Sequence, residues 1–166
     1  MSADPSTPTD SHDARAVLHI DDDPQVTRMV AKRLSEHGYE VTSLNDPHKA
    51  MKELMQNQWR VVLLDIDMPG VNGLNLLREI KAYDGGIQVI MLTGVVTLST
   101  LLQSFRWGAE ACFFKPLGDI RPLLGSLDDT FRKINRWWAA LEELSQRRRQ
   151  EHQAMQEPME MPCGVS

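Results

Sequence analysis

Cysteine is nearly absent from this chain of 166 residues: Cys112 and Cys163 are the two it has. Two cysteines cannot build a disulfide framework, so the expected compartment is the reducing cytoplasm. Long apolar runs are missing as well, and with them any stretch of membrane-spanning length. No basic start leads into an apolar core, so no N-terminal leader is expected. Cationic excess is also lacking: 18 Lys and Arg stand against 23 Asp and Glu, a net charge of -5. Affinity for phosphate backbones rests on clustered cations, which makes nucleic acid an unlikely partner. The composition that remains, 42% hydrophobic and 25% charged, suits one globular domain with a substantial core, plus tails.

Residues 1–15, rich in Ser, Thr, Pro and Asp, read as a disordered arm. From Ala16 onward, short apolar runs alternate with helical stripes. Ala16-Val17-Leu18-His19-Ile20 reads as a strand that closes on Asp21-Asp22-Asp23, and Pro24 opens a helix striped by Val26, Met29, Val30 and Leu34 and stopped by Gly38. His19 is expected to pack or hydrogen-bond within its strand. A second strand, Tyr39 to Leu44, leads to the cap Asn45-Asp46-Pro47 and a helix burying Ala50, Met51, Leu54 and Met55. Val61-Val62-Leu63-Leu64 has the apolar continuity of a strand buried on both faces. It ends at Asp65, after which Met68-Pro69-Gly70 breaks the chain. Leu74, Leu77 and Ile80 mark the third helix. Ile87 to Leu92 forms a fourth strand ending at Thr93-Gly94, and Leu98, Leu101, Leu102 and Phe105 stripe a helix stopped by Gly108. Ala111 to Phe114 makes the fifth strand, ending at Lys115-Pro116, and Asp119 caps a helix from about Ile120.

Five strand–helix alternations with short connections predict an α/β fold, a doubly wound five-stranded parallel sheet with helices on both faces. In such a sheet the ends of strands one, three, four and five meet at one edge, bringing together Asp21, Asp22, Asp23, Asp65, Thr93 and Lys115. Taken alone, Asp65 could simply begin a turn, as Asp often does. The four strand ends together make that reading the weaker one. Crowded carboxylates take up protons or a cation, and oxygen ligands of this kind suit Mg²⁺, with Asp22 and Asp65 as direct ligands. A lysine and a threonine hydroxyl beside them complete a phosphoryl-transfer site in which Asp65 is the nucleophile.

From Ala16 to about Leu127 the sequence resembles the receiver domains of two-component response regulators. The resemblance rests on Ile20-Asp21-Asp22-Asp23-Pro24, on Leu64-Asp65-Ile66-Asp67-Met68-Pro69-Gly70-Val71-Asn72-Gly73, on Leu92-Thr93-Gly94 and on Phe114-Lys115-Pro116, in that order. It implies strand order 2-1-3-4-5 with the site at the switch point. It further implies that Asp65 accepts a phosphoryl group from a phosphohistidine of a sensor histidine kinase or a histidine phosphotransfer protein. Asp22 would bind Mg²⁺ directly, Asp21 through water, and Asp67 through its backbone carbonyl. Thr93 would be the switch hydroxyl and Lys115 a second contact to the phosphoryl group, with a cis Lys115-Pro116 bond. The chain departs from the family pattern three residues before the lysine, where Cys112 stands in place of the usual Tyr or Phe. A small thiol cannot act as the aromatic rotor. Gly94 leaves space above the site for a phospho-donor.

Beyond Leu127 the residues Leu127, Phe131, Ile134, Trp138 and Leu141 are spaced 4, 3, 4, 3, the seam of a coiled coil or helix hairpin. A helical extension is therefore expected over 128–149, with a homodimer or partner helix docking through 127–141 and with Trp137 and Trp138 as contact aromatics. Arg147-Arg148-Arg149 reads as a solvated helix end, and 150–166 as a flexible tail. No DNA-binding or catalytic output domain is expected in the length that remains. The expectation is a response regulator acting through a phosphorylation-dependent surface read by a downstream protein, catalysing its own phosphorylation and slow dephosphorylation and not multiple turnover. Two rivals are a phosphohydrolase of the haloacid dehalogenase type, suggested by the Asp65-Ile66-Asp67 pattern, and a receiver-fold scaffold independent of phosphorylation. The first is disfavoured by the strand and acidic cluster that precede the motif and by Met68 after it.

Overall fold

The computed structural model describes residues 15–94 and 97–156. Residues 1–14 of the expected arm and 157–166 of the expected tail lie outside the described residues.

Continuous apolar runs become central strands because both faces of a parallel sheet are covered. Strands β1 (Ala16–Ile20), β2 (Glu40–Leu44), β3 (Val61–Leu64), β4 (Gln88–Thr93) and β5 (Ala111–Phe114) form one parallel sheet in the order β2-β1-β3-β4-β5. This is the predicted 2-1-3-4-5 order. Side chains alternate across it. On one face Leu18, Ile20, Val62, Leu64, Val89 and Met91 pack with Leu54, Leu74, Leu77 and Ile80 of the helices. On the other, Val17, Leu63, Ile90 and Leu92 are fully buried, as are Val30 and Leu34, and Leu123 and Leu127 further on.

Between the strands run α1 (Pro24–Ser35), α2 (Ala50–Gln56, preceded by a 3₁₀ turn at Pro47–Lys49), α3 (Gly73–Tyr83) and α4 (Leu98–Arg106), and α5 (Arg121–Gln156) follows β5. Their starts follow from local chemistry. Asp23 caps α1, with Pro24 in the first turn, and Asp46 and Pro47 do the same for the 3₁₀ turn. Asn72 caps α3, Thr97 and Thr100 cap α4 reciprocally, and the Asp119 carboxylate accepts from Arg121 N–H at 3.0 Å. Gly38 turns the chain into β2 with φ +81°, a conformation that favours glycine.

Leu98, Leu101, Leu102 and Phe105, the apolar stripe expected of α4, are exposed, Phe105 by 77%. Met29 and Met55 also point outward. Periodicity finds an apolar face but does not say whether the sheet or solvent lies against it. The last helix also continues to Gln156 instead of ending near 149. Glu, Gln and Arg are strong helix formers, so this segment needs no apolar stripe to stay helical in outline.

By their contacts the described residues form two units, one ending at Phe131 and one starting at Arg132. In the first, Arg15 lies 4.2 Å from the centroid of the Tyr39 ring and donates to its hydroxyl at 2.8 Å. Tyr39 in turn donates to Asp128 Oδ1 at 2.6 Å, and Arg15 pairs with the same carboxylate. Tyr39 and Phe131 stack obliquely, with centroids 5.9 Å apart. Arg15, assigned to the arm by composition, is therefore part of the folded unit. In the second unit the helix exposes Trp137, Leu141 and Leu144, and Arg147 pairs with Glu143 one turn away. Among the described residues no helix is long and apolar enough to cross a membrane.

Candidate functional site

Two loops carry the acids. After β1, Asp21 N–H donates to Leu44 O at 3.2 Å, and the Asp21 carboxylate accepts from Asp23 N–H at 2.9 Å. Asn45 fixes this loop from the side: its amide donates to Asp21 O at 2.8 Å and to Thr27 Oγ1 at 3.0 Å. The sequence shows Asn45 only as part of a cap, and no pattern in one sequence reveals this tie. After β3, Asp65 N–H donates to Ile20 O at 3.0 Å, and Asp65 Oδ1 accepts from Ile66 N–H at 2.8 Å. A short antiparallel ribbon, Asp67–Met68 against Val71–Asn72, then returns the chain to α3. Gly73 closes the ribbon, its N–H 2.7 Å from Ile66 O. A Cβ there would lie 1.9 Å from the Asp65 carbonyl oxygen, so only glycine lets α3 begin this close to the loop.

The other two strand ends bring a hydroxyl and an ammonium. Thr93 is buried at the end of β4, in register with Phe114 of β5, and its carbonyl accepts from Lys115 N–H at 2.9 Å. The Lys115-Pro116 bond is cis. Lys115 Nζ then reaches Asp21 Oδ2 at 2.7 Å and Asp65 Oδ2 at 3.3 Å. Asp21, Asp22 and Asp65 each offer a carboxylate oxygen, all within 4.8 Å of one another. Asp21 and Asp65 are buried, Asp22 is half-buried, and Asp67 is exposed with its carboxylate outside the cluster. The sequence placed Lys115 beside Asp65, but its shorter contact, to Asp21, was not foreseen.

The electrostatics follow from burial and crowding. Burial, with Asp21 adding to it, holds the Asp65 carboxyl above the ordinary carboxylate range, although Lys115 pulls it down. Burial draws the Lys115 ammonium down, yet its bonds and attraction to Asp21 and Asp65 outweigh this and leave it raised. His19, beneath the site on β1, is lowered to about 4, mainly by burial, with Asp21 opposing and Lys115 assisting the shift. Three carboxylates drawn this close, with one ammonium among them, form a donor set of hard oxygens, which fits Mg²⁺. Cys112 packs against the core on the side of Val89 and Met91, and burial pushes its thiol up. It is half-buried at the margin of the core. A Cβ on Gly94 would meet nothing within 4 Å, in keeping with open space next to Thr93.

The sequence profile of the response regulator receiver domain matches residues 17–126, more than half of the chain. The chain belongs to that family. This receiver is 34% identical over 100 residues to the C4-dicarboxylate transport transcriptional regulatory protein DctD of Pseudomonas aeruginosa, a stretch covering 60% of this chain and 22% of that one. The chain thus spans much less than two thirds of that relative. Among solved structures it resembles a CheY-like receiver domain protein from Methanospirillum hungatei, with TM-score 0.69 and 25% identity over 74% of this chain and 98% of the other. It also resembles the response regulator TrrA of Thermotoga maritima in complex with Mg²⁺-BeF, with TM-score 0.64 and 27% identity over 70% and 98%. The receiver fold thus stands at all five strands, and the acids, hydroxyl and lysine stand at its carboxyl edge, where open α/β sheets place their ligands.

Proposed function

We propose that this receiver accepts a phosphoryl group on Asp65 from the phosphohistidine of a sensor histidine kinase or a histidine phosphotransfer protein. The observation that carries the reading is the Lys115 ammonium set between Asp21 and Asp65, with Asp22 completing the acid cluster. An Asp65 oxygen attacks phosphorus, the P–N bond to the donor imidazole breaks, and the imidazole leaves with the bonding pair and is protonated by solvent. Lys115 would offset charge on the transferred group, and the Thr93 hydroxyl would donate to it. Asp22 and Asp65 would hold Mg²⁺ directly, Asp67 through its carbonyl and Asp21 through water. The ion supplies charge neutralisation at the phosphoryl oxygens when bound. Asp21, bonded to Lys115, keeps the ammonium aimed at the nucleophile.

The output is a surface read by a downstream protein in the cytoplasm. The exposed apolar face of α4, built from Leu98, Leu101, Leu102 and Phe105, begins just beyond Thr93 and is suited to that role. The apolar spacing over 127–141 supports a homodimer as a second consequence. Cys112 leaves the aromatic half of the family switch unfilled, so the hydroxyl and lysine carry the change.

One experiment tests the reading against phosphatase chemistry. Incubation with Mg²⁺ and acetyl phosphate is expected to label each molecule once, with slow loss of the label and no sustained hydrolysis of an unrelated phosphate ester. Sustained ester turnover contradicts it.

A further inference from the structure

Among the described residues, His19 is the one fully buried titratable side chain that the phosphoryl chemistry leaves unused. It sits on β1 between Ser43 of β2 and Leu63 of β3, with no exposed surface. Neither ring nitrogen has a hydrogen-bond partner. Buried polar atoms are rarely left so, because the loss of water is then uncompensated. Alternation along β1 puts His19 and Asp21 on the same face, and Nε2 lies 3.9 Å from Asp21 Oδ2. That oxygen is the one that accepts from Lys115 Nζ at 2.7 Å. Its other oxygen is already engaged by Asp23 N–H.

Asp21 Oδ2 thus has one donor in hand and a second just out of reach. Lys115 spans two carboxylates, and any gain of negative charge on Asp65 draws the ammonium toward that side. Asp21 Oδ2, which is buried, then loses its bond from Lys115. The imidazole of His19 is the group next to it with an unused N–H.

We propose that His19 is a positioning residue for Asp21: its Nε2–H donates to Asp21 Oδ2 when Lys115 turns toward a loaded Asp65. The proposal rests on Asp65 as phosphoacceptor, since it is loading there that moves Lys115. It assigns the neutral ring the Nε2–H tautomer and makes His19 matter in the loaded state but little in the resting one.

The test uses the full chain, ¹⁵N-labelled, with beryllofluoride and Mg²⁺ as the loading probe. The His19 ring is expected to show the Nε2–H tautomer and a downfield move of that proton on loading. His19→Phe, which keeps a flat aromatic ring and removes the donor, is expected to weaken beryllofluoride binding about tenfold, the loss of one hydrogen bond to a charged group. Resting Mg²⁺ affinity should stay within about twofold of wild type by the same reasoning. His19→Gln, which restores an N–H, should recover most of the binding. Binding by wild type with an unmoved His19 ring, or an undiminished affinity in His19→Phe, overturns the proposal and leaves the phosphoacceptor reading standing. Equal losses of Mg²⁺ and beryllofluoride binding also overturn it, since a merely structural histidine behaves that way. Failure of the wild type to bind beryllofluoride overturns both.

Discussion

Lys115 Nζ lies closer to Asp21 Oδ2, at 2.7 Å, than to Asp65 Oδ2, at 3.3 Å. In this state the ammonium thus holds two buried acids together and belongs to neither alone. Removing it leaves carboxylates without a counter-charge. Lys115→Met is expected to lower stability by about 3 kcal/mol, the usual cost of unpairing a buried charge. Mg²⁺ should return more stability to this variant than to wild type, because the ion takes over the neutralising role. Thermal unfolding with and without Mg²⁺ checks both statements.

The burial of Asp65 comes at some cost to the fold. Its carboxyl is raised above the usual range, chiefly by burial. A raised folded-state pKa means that the unfolded chain holds the ionised form more easily. The stability this group contributes is present at low pH and is lost as pH rises through the folded value. At neutral pH the charge is therefore a burden, and Asp65→Asn should melt higher than wild type in metal-free buffer. Addition of Mg²⁺ should narrow the difference by stabilising the wild type alone.

His19 gives the opposite sign. Its folded value, lowered from 6.5 to about 4, means the unfolded chain takes up a proton first as pH falls. Stability is full above about 6.5 and falls between there and 4, by about 3 kcal/mol in total. Denaturant titrations across this window, without divalent metal, should show the loss in wild type and a much flatter profile in His19→Gln.

Gly73 is fixed by contact, not by backbone angle. A methyl there meets the Asp65 carbonyl at 1.9 Å and Ile66 Cα at 2.7 Å, both backbone atoms that cannot step aside. Gly73→Ala should cost about 3 kcal/mol or more and displace the Asp65 loop. Urea unfolding reads the first effect, and amide chemical-shift changes at 65 and 66 read the second.

The parallel sheet and the strand-end cluster were legible because they follow from short apolar runs that end in chemically distinctive residues, while the strand order came from the resemblance to receiver domains. Asp21, Asp22, Asp65 and Lys115 converge as the alternation requires. What the sequence could not show was orientation. The stripes on α3 and α4 both have helical spacing, yet Leu77 and Ile80 are buried while Leu98 and Phe105 face water. Contacts between distant polar atoms were also hidden. Asn45 bonded to the Asp21 carbonyl, or Arg15 bonded to Asp128 across the fold, leaves no periodic trace. Composition misled at both ends of the folded part, making Arg15 part of an arm and 150–156 part of a tail.

The central claim is that Asp65 carries the phosphoryl group and that the acid cluster makes this depend on Mg²⁺. Intact-mass spectrometry of the chain after incubation with acetyl phosphate tests it most directly. The account predicts one phosphoryl group per chain in Mg²⁺, none in EDTA and none in Asp65→Asn, with the label mapped to Asp65. Equal labelling of wild type and Asp65→Asn, or labelling indifferent to Mg²⁺, contradicts it.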